Sequence, residues 1–416
     1  MKKCLKTGPA ALSLLVLFYL TGCATYPFET KGAQNAFYSG DYVKAAADLE
    51  VKSKEDGKDQ VLYLLDRAMA LQLMGNFKES EKLFIQVDKL TEVKDYTSVS
   101  TEAATLLTSD NIKQYKGEDF EKVLINAFNA INYVLENNYE DALVECRVVN
   151  HKLQKYVQEA KLNYEQNPFA RYLSAIIWEA SGKIDDAYID YKKTFELTPD
   201  FPYLKNDLIK WAKRMGRTED LKKWEEKYGK DVVVLSSKEE KKLGEVILLY
   251  QQGKSAVKRP HPNSHRFPKF YSRGSTTQQA RIDILTAENK TELSQKIYSV
   301  SDVAIKTLDE AYAGIVAKRV AGVVAKEVVA DQIRQKNELL GAVAWISMHV
   351  IDQADLRHWS TLPETIQIAR LHVAPGTHTI KVVGLDASGN PSGEETSVEV
   401  NVAAGKKAFI NWRSIK

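Results

Sequence analysis

A few places in this sequence carry reactive side chains at spacings that chemistry uses. Cys23 closes Leu20-Thr21-Gly22-Cys23, directly after the apolar run Ala10–Leu20, and residues 1–9 supply Lys2, Lys3 and Lys6 with no acid. A positive start and an apolar run of about eleven residues is the layout of an export signal. It is too short for the ~20 apolar residues that cross a bilayer. His261 and His265 have H-x₃-H spacing, but two ligands without a third or fourth do not hold zinc. Ser255 and Lys258 form S-x-x-K, yet the companion S-D-N and K-T-G motifs are missing. His372 and His378 flank Pro375-Gly376 and read as strand residues. Dispersed acid pairs on helices stand in no cleft that the sequence defines. G-x-S-x-G, a Walker loop, G-x-G-x-x-G after a strand and H-E-x-x-H are all absent. The expectation is a chain with no catalytic residue, no metal and no cofactor, and so not an enzyme.

Charge and cysteine content narrow the class. Residues 1–22 hold three of the 58 basic residues and none of the 55 acids, so the remaining 394 are formally neutral. Neutrality argues against a general nucleic-acid binder. Of the three cysteines, Cys4 falls in the signal and Cys23 at its end. That leaves Cys146, which has no partner for a disulfide within the chain and reads as a small core residue.

The first half of the sequence repeats. Gly40, Gly75, Asn137 and Gly182 each open a stretch of one pattern: "GDYVKAAADLE", "GNFKESEKLF", "NNYEDALVEC" and "GKIDDAYIDY". Each turn is followed by a small residue (Ala45, Ser80, Ala142, Ala187) and four positions later by Leu49, Phe84, Cys146 or Tyr191. Seven residues before each turn lies Ala33, Ala68, Ala130 or Ala175. Small residues let two helices of a pair approach, and large ones wedge between pairs. The 62 residues between Gly75 and Asn137 leave room for one irregular unit. After Pro202 a last pair turns Leu208, Trp211, Leu221 and Trp224 inward, its lysines fitting a capping surface.

These units resemble the tetratricopeptide repeat, and Leu20–Cys23 resembles the lipobox of bacterial lipoproteins. The second resemblance implies that Cys23 is acylated and becomes the first residue of the mature chain. Ala24 in place of an aspartate implies sorting to the outer membrane, facing the periplasm. Two or three acyl chains, at ~0.8 kcal/mol per buried CH₂, make a stable anchor. Residues 23–32 then form a tether and residues 33–230 a helical solenoid. The concave face of such a solenoid normally holds an extended peptide or a partner's helix. Tyr38, Tyr42, Tyr63, Phe128, Tyr133, Tyr172 and Tyr188 are the aromatics it offers.

Residues 231–416 read as an α+β region, giving the chain an α+β class: an all-α repeat solenoid followed by a mainly-β, sandwich-like domain with one long packing helix. "DVVVLSS" reads as a short β run and Glu245–Tyr250 as a buried strand. The basic, proline-broken segment 254–277 reads as a solvated loop, and 302–337 as a helix packed through Ala313, Ala317, Ala321 and Ala325. Gly341–Ile351 reads as a strand. Two further strand pairs turn at Pro375-Gly376 and Ala404-Gly405. The run 365–412 resembles the PEGA-type β repeat of extracytoplasmic proteins. Asp355–Gly376 is the most distinctive stretch here, offering Arg357 and Trp359 either to a partner or to the core. The whole resembles repeat-bearing lipoproteins of Gram-negative bacteria. That implies an adaptor for periplasmic or outer-membrane proteins in peptidoglycan synthesis or envelope assembly, with peptidoglycan a further candidate partner. The alternatives are a structural subunit of an export or surface-appendage complex, or a cell-wall-modifying enzyme.

Overall fold

The structure, a computed structural model, describes Tyr26, residues 29–92, 114–160, 166–285, 290–350 and 354–416. Cys23, the signal and most of the gap between the second and third repeats lie outside the described residues.

The helical half runs α1 (Lys31–Tyr38), α2 (Tyr42–Asp48), α3 (Glu50–Lys54), α4 (Gln60–Leu73), α5 (Phe77–Glu92), α6 (Asp119–Leu135), α7 (Tyr139–Ala160), α8 (Pro168–Ala180), α9 (Ile184–Leu197), α10 (Leu204–Arg214) and α11 (Thr218–Tyr228). The repeat residues do what their spacing requires. Gly40, Gly75, Asn137, Gly182 and Gly216 all take positive φ, between 58° and 84°. Asn137 is the one non-glycine residue among those described to do so, and asparagine tolerates that region better than most side chains. After each turn the next N–H reaches the carbonyl five residues back. Asp41 bonds Ala36, Asn76 Leu71, Asn138 Tyr133, Lys183 Trp178 and Arg217 Ala212, all at 2.8–2.9 Å. This closure satisfies orphan carbonyls at the end of each first helix. The eight small residues flanking the first four turns are all buried. Ser80 also carries hydrogen bonds: its hydroxyl donates to the Ala68 carbonyl (2.9 Å) and accepts from Asn132 (2.9 Å).

The second half runs α12 (Ser237–Glu240), β1 (Gly244–Gln252), β2 (Val257–His261), β3 (Ser264–Tyr271), β4 (Gln279–Ile284), β5 (Thr291–Leu293), β6 (Gln295–Ser299), α13 (Val300–Lys336), α14 (Glu338–Val350), β7 (Thr365–Val373), β8 (Gly376–Leu385), β9 (Pro391–Val402) and β10 (Lys407–Arg413). One sheet has the order β10-β1-β7-β6, with β1 and β10 parallel. The other is β5-β4-β8-β9. Every residue of β1 is buried because its sheet is covered on both faces. Val246, Leu248 and Tyr250 meet the second sheet, while Ile247 and Leu249 join the core of the helical half. Strand alternation divides one strand between two cores.

Several expectations are corrected. Gly341–Ile351 is no strand: residues to Val350 lie in helix α14, folded back on α13, and Ile351 is outside the described residues. Gly341 permits this, since a Cβ there would lie 2.6 Å from the Arg334 backbone. Segment 254–277 is not a loop but carries the hairpin β2–β3, with Pro260 opposite Pro268 and a register shift beside them. The turns at Pro375-Gly376 and Ala404-Gly405 do not close hairpins. β7 and β8, like β9 and β10, belong to different sheets, so each turn crosses the sandwich. "DVVVLSS" forms no strand; Ser236 caps α12, its hydroxyl accepting from the Glu239 N–H. The alanine strip of α13 faces outward: Ala313, Ala317 and Ala321 are exposed, while Gly322, Lys326 and Ala330 are buried.

Candidate functional site

The inner face of the solenoid is filled by the protein's own chain. The segment from Asp355 to Leu362, between α14 and β7, lies across α1, α4 and α6. Its anchor is Trp359, 1% exposed, whose ring centroid is 6.1 Å from that of Phe84 and 5.7 Å from that of Phe128. The Trp359 backbone N–H donates to Glu121 (2.9 Å), and its indole N–H donates to the Thr361 hydroxyl (3.0 Å). Asp66 takes the hydroxyls of Tyr26 (2.6 Å), Ser360 (3.0 Å) and Thr361 (2.8 Å). Arg357 pairs with Asp59 (3.1 Å) and Asp355 (2.7 Å). Burial pushes the carboxyls of Asp66 and Glu121 upward, Glu121 to about 6, against the pull of these hydrogen bonds. The imidazole of His358 is driven down to about 3 by its burial.

The residues expected to meet a partner therefore sit inside. Phe128, Tyr172 and Tyr188 are fully buried; Tyr63, Tyr133 and Arg357 are nearly so. Tyr63 donates to Glu29 (2.9 Å), and Tyr172 to Asp207 (2.6 Å). Tyr188 donates to Asp220 (2.9 Å) and accepts from the Trp224 indole (2.9 Å). Tyr38 and Tyr42 are half-buried. Tyr38 donates to the Ser360 carbonyl, and Tyr42 packs edge-on against Phe37 at 5.3 Å. The structure brings Tyr38, Phe128, Arg357 and Trp359 together around one segment. It leaves Tyr133 and Tyr188 apart, as wedges within the helical stack.

A second junction joins α8 and α10 to the sheet. Arg370 bridges Asp207 (2.8 Å) and Glu245 (2.7 Å), while Lys407 bridges Glu179 (2.9 Å) and Glu245. Lys210 continues the chain of charges to Glu179 (2.9 Å) and Glu240 (3.1 Å). Burial alone would raise Glu245, but Arg370 and Lys407 more than reverse it and hold the carboxyl well below its ordinary range. A cleft of about 520 Å³ opens beside this network, between Trp211, Arg214, His372 and Lys407. Its charges are matched to one another, which suits a permanent joint.

The other sequence candidates find ordinary roles. Ser255 is buried, and Lys258 pairs with Glu118 (3.0 Å). His261 caps the hairpin turn, accepting from the Asn263 N–H (3.2 Å), while the His265 side chain is outside the described residues. His378 bonds the Ala374 carbonyl at 2.7 Å. Burial pushes the Cys146 thiol up to about 12, away from thiolate chemistry. Among the described residues no group of three or more His, Cys, Asp or Glu could hold a metal ion. Asp66, Glu121, Arg370 and Arg413 were not singled out from sequence. The available signal was a charge inside an apolar run, as in "VLYLLDRAMA" around Asp66.

No protein-family model matches the sequence, and no curated protein matches it. Solved structures do resemble it. MamA AMB-1 shares 19% identity at a TM-score of 0.30, over 47% of this chain and 92% of that one. MamA from Desulfovibrio magneticus RS-1 shares 14% at 0.32, over 49% and 96%. A tetratricopeptide repeat protein from Parabacteroides merdae shares 13% at 0.23, over 49% and 78%. The likeness covers about half of this chain and concerns the fold alone. The helix pairs, with their positive-φ turns and buried small residues, make the helical half a repeat architecture by its own geometry.

Proposed function

We propose that the protein is an outer-membrane-anchored periplasmic lipoprotein that serves as an interaction scaffold in cell-envelope processes. The observation that carries this reading is the place of Tyr26. Only three residues after Cys23, it is already 2% exposed, with its hydroxyl on Asp66. A lipid on Cys23 would then tether the first helices within about 10 Å of the bilayer, much closer than a free tether to Gly32 allows. With Asp355–Leu362 occupying the inner face, a partner meets the outer surfaces of the repeats or the α13–α14 arm. That arm passes the β2–β3 turn, where Tyr312 packs on His261 and Phe267. It runs on for roughly 36 Å at 1.5 Å per residue.

The test is photo-crosslinking in cells from the exposed positions Val43, Ile189 and Val324, with Cys23→Ser as control. The reading expects an envelope protein to be captured from at least one position and lost in the control. Adducts unchanged by Cys23→Ser would remove the anchor from the account, and no adduct from any position would remove the scaffold.

A further inference from the structure

The corner where α1 meets the ends of β1 and β10 gathers three cations that form no ion pair among the described residues. Arg413, 6% exposed, donates to the Gln251 side chain (3.3 Å) and to the carbonyls of Gly253 (2.9 Å) and Leu362 (3.2 Å). Arg273 donates to the carbonyls of Ser255 (2.7 Å) and Ser360 (3.3 Å) and to the Tyr38 hydroxyl (2.8 Å). The same two stretches, 253–255 and 360–362, thus hold both guanidinium groups, and every acceptor is neutral. The Lys254 amine stands 5.1 Å from the Tyr38 ring centroid, and the Arg273 guanidinium stands 4.9 Å from it. None of the three cations is ion-paired among the described residues.

Two buried polar atoms of this corner have no hydrogen-bond partner among the described residues: Arg413 Nε and Ser275 Oγ. Ser275 lies against Gly253, where an added Cβ would fall 2.3 Å from its hydroxyl oxygen. Glu364 lies against Gly253 and the Glu394 charge acts on Lys254, but neither carboxylate forms an ion pair with the three cations. Glu394 accepts from Thr277 (2.6 Å) and the N–H groups of Ile415 (2.7 Å) and Lys416 (3.1 Å), and Glu364 from Gln252 (3.2 Å). Burial and mutual repulsion depress Arg413, to about 10, and Lys254 as well. A buried cation without a counter-ion is costly, and the buried Arg357, Arg370 and Lys210 each have one.

We propose that Lys254, Arg273 and Arg413 form a binding site for a phosphate-bearing ligand, entered past the half-exposed Lys254. A dianionic phosphate offsets the positive charge, and its several oxygens suit donors from three separate side chains. The phosphate belongs either to a soluble phosphoester or to a lipid headgroup.

Isothermal titration of the full-length protein with inorganic phosphate and with dihexanoyl phosphatidic acid, each against sodium chloride at equal ionic strength, tests the site. Saturable binding of at least one probe is expected, weakened at least tenfold in Lys254→Gln. Lys254→Glu, which supplies an internal anion, should abolish it while melting no lower than the wild type. Binding of phosphate itself points to a soluble ligand, and binding of phosphatidic acid alone to a headgroup. No saturable binding of either probe, or equal binding by Lys254→Glu, overturns the proposal.

Discussion

Arg370 and Arg413 are both buried arginines on strands of the central sheet, and their surroundings differ in one respect. Arg370 is clasped by Asp207 and Glu245 and reaches the Tyr172 hydroxyl, so charge is matched where it is buried. Arg413 rests on neutral oxygens and faces two more cations. The first arrangement joins solenoid to sheet permanently. The second leaves electrostatic demand unmet by the protein's own residues. For these two arginines, then, matched charge marks a joint and unmatched charge a candidate ligand site.

Breaking the balanced end should have the largest effect. Arg370→Ala leaves Asp207 buried without its cation and Glu245 with Lys407 alone, and a loss of about 3–5 kcal/mol in chemical denaturation is expected. An equal or smaller loss for Arg370→Ala than for Arg413→Ala would erase the distinction. Trp359→Ala, which empties the slot between Phe84 and Phe128, should cost a similar ~3–5 kcal/mol.

The inner segment also gives a pH signature. His358 is held neutral, with a folded value of about 3 that lies below its unfolded one. The unfolded chain therefore binds more protons between pH 6.5 and 3. Its contribution to stability should fall by about 1.4 kcal/mol per pH unit as the solution is acidified through that window, and shows without offset below about pH 4.5. Glu121 has the opposite sign. Its carboxyl is raised to about 6, so the folded chain binds the extra proton, and stability falls as pH rises from about 4.5 to 6. Urea melts of His358→Leu should lack the acid slope, whereas an unchanged slope would locate it elsewhere. The smallest effect belongs to the unbalanced corner: Lys254→Glu should leave the melting temperature unchanged or slightly raised.

The helical half was legible because its signal is local. A turn residue, a small residue at a fixed offset and a large one four further on define a helix pair without knowledge of the rest. The buried β1 run was equally plain, since Val246–Tyr250, covered on both faces, is apolar without a break. Pairing across distance was not legible. Pro375-Gly376 specifies a turn, but only the placement of β4 and β1 decides that β7 and β8 part into different sheets. Helix α14 was misread because a short, wholly apolar run fits a strand as well as a helix. At the inner face, aromatics were the visible signal, yet what fills that face is a segment more than two hundred residues downstream of Phe128. Its contacts with Asp59, Asp66 and Glu121 follow no periodicity.

The central claim is that the solenoid and the β region fold as one body, with the Asp355–Leu362 segment locking the inner face. Scanning calorimetry of the wild type and Trp359→Ala tests it most directly. One cooperative transition is expected, its calorimetric and van't Hoff enthalpies in agreement, shifted down as a whole by the substitution. Two separate transitions, with only one of them moved by Trp359→Ala, would contradict it.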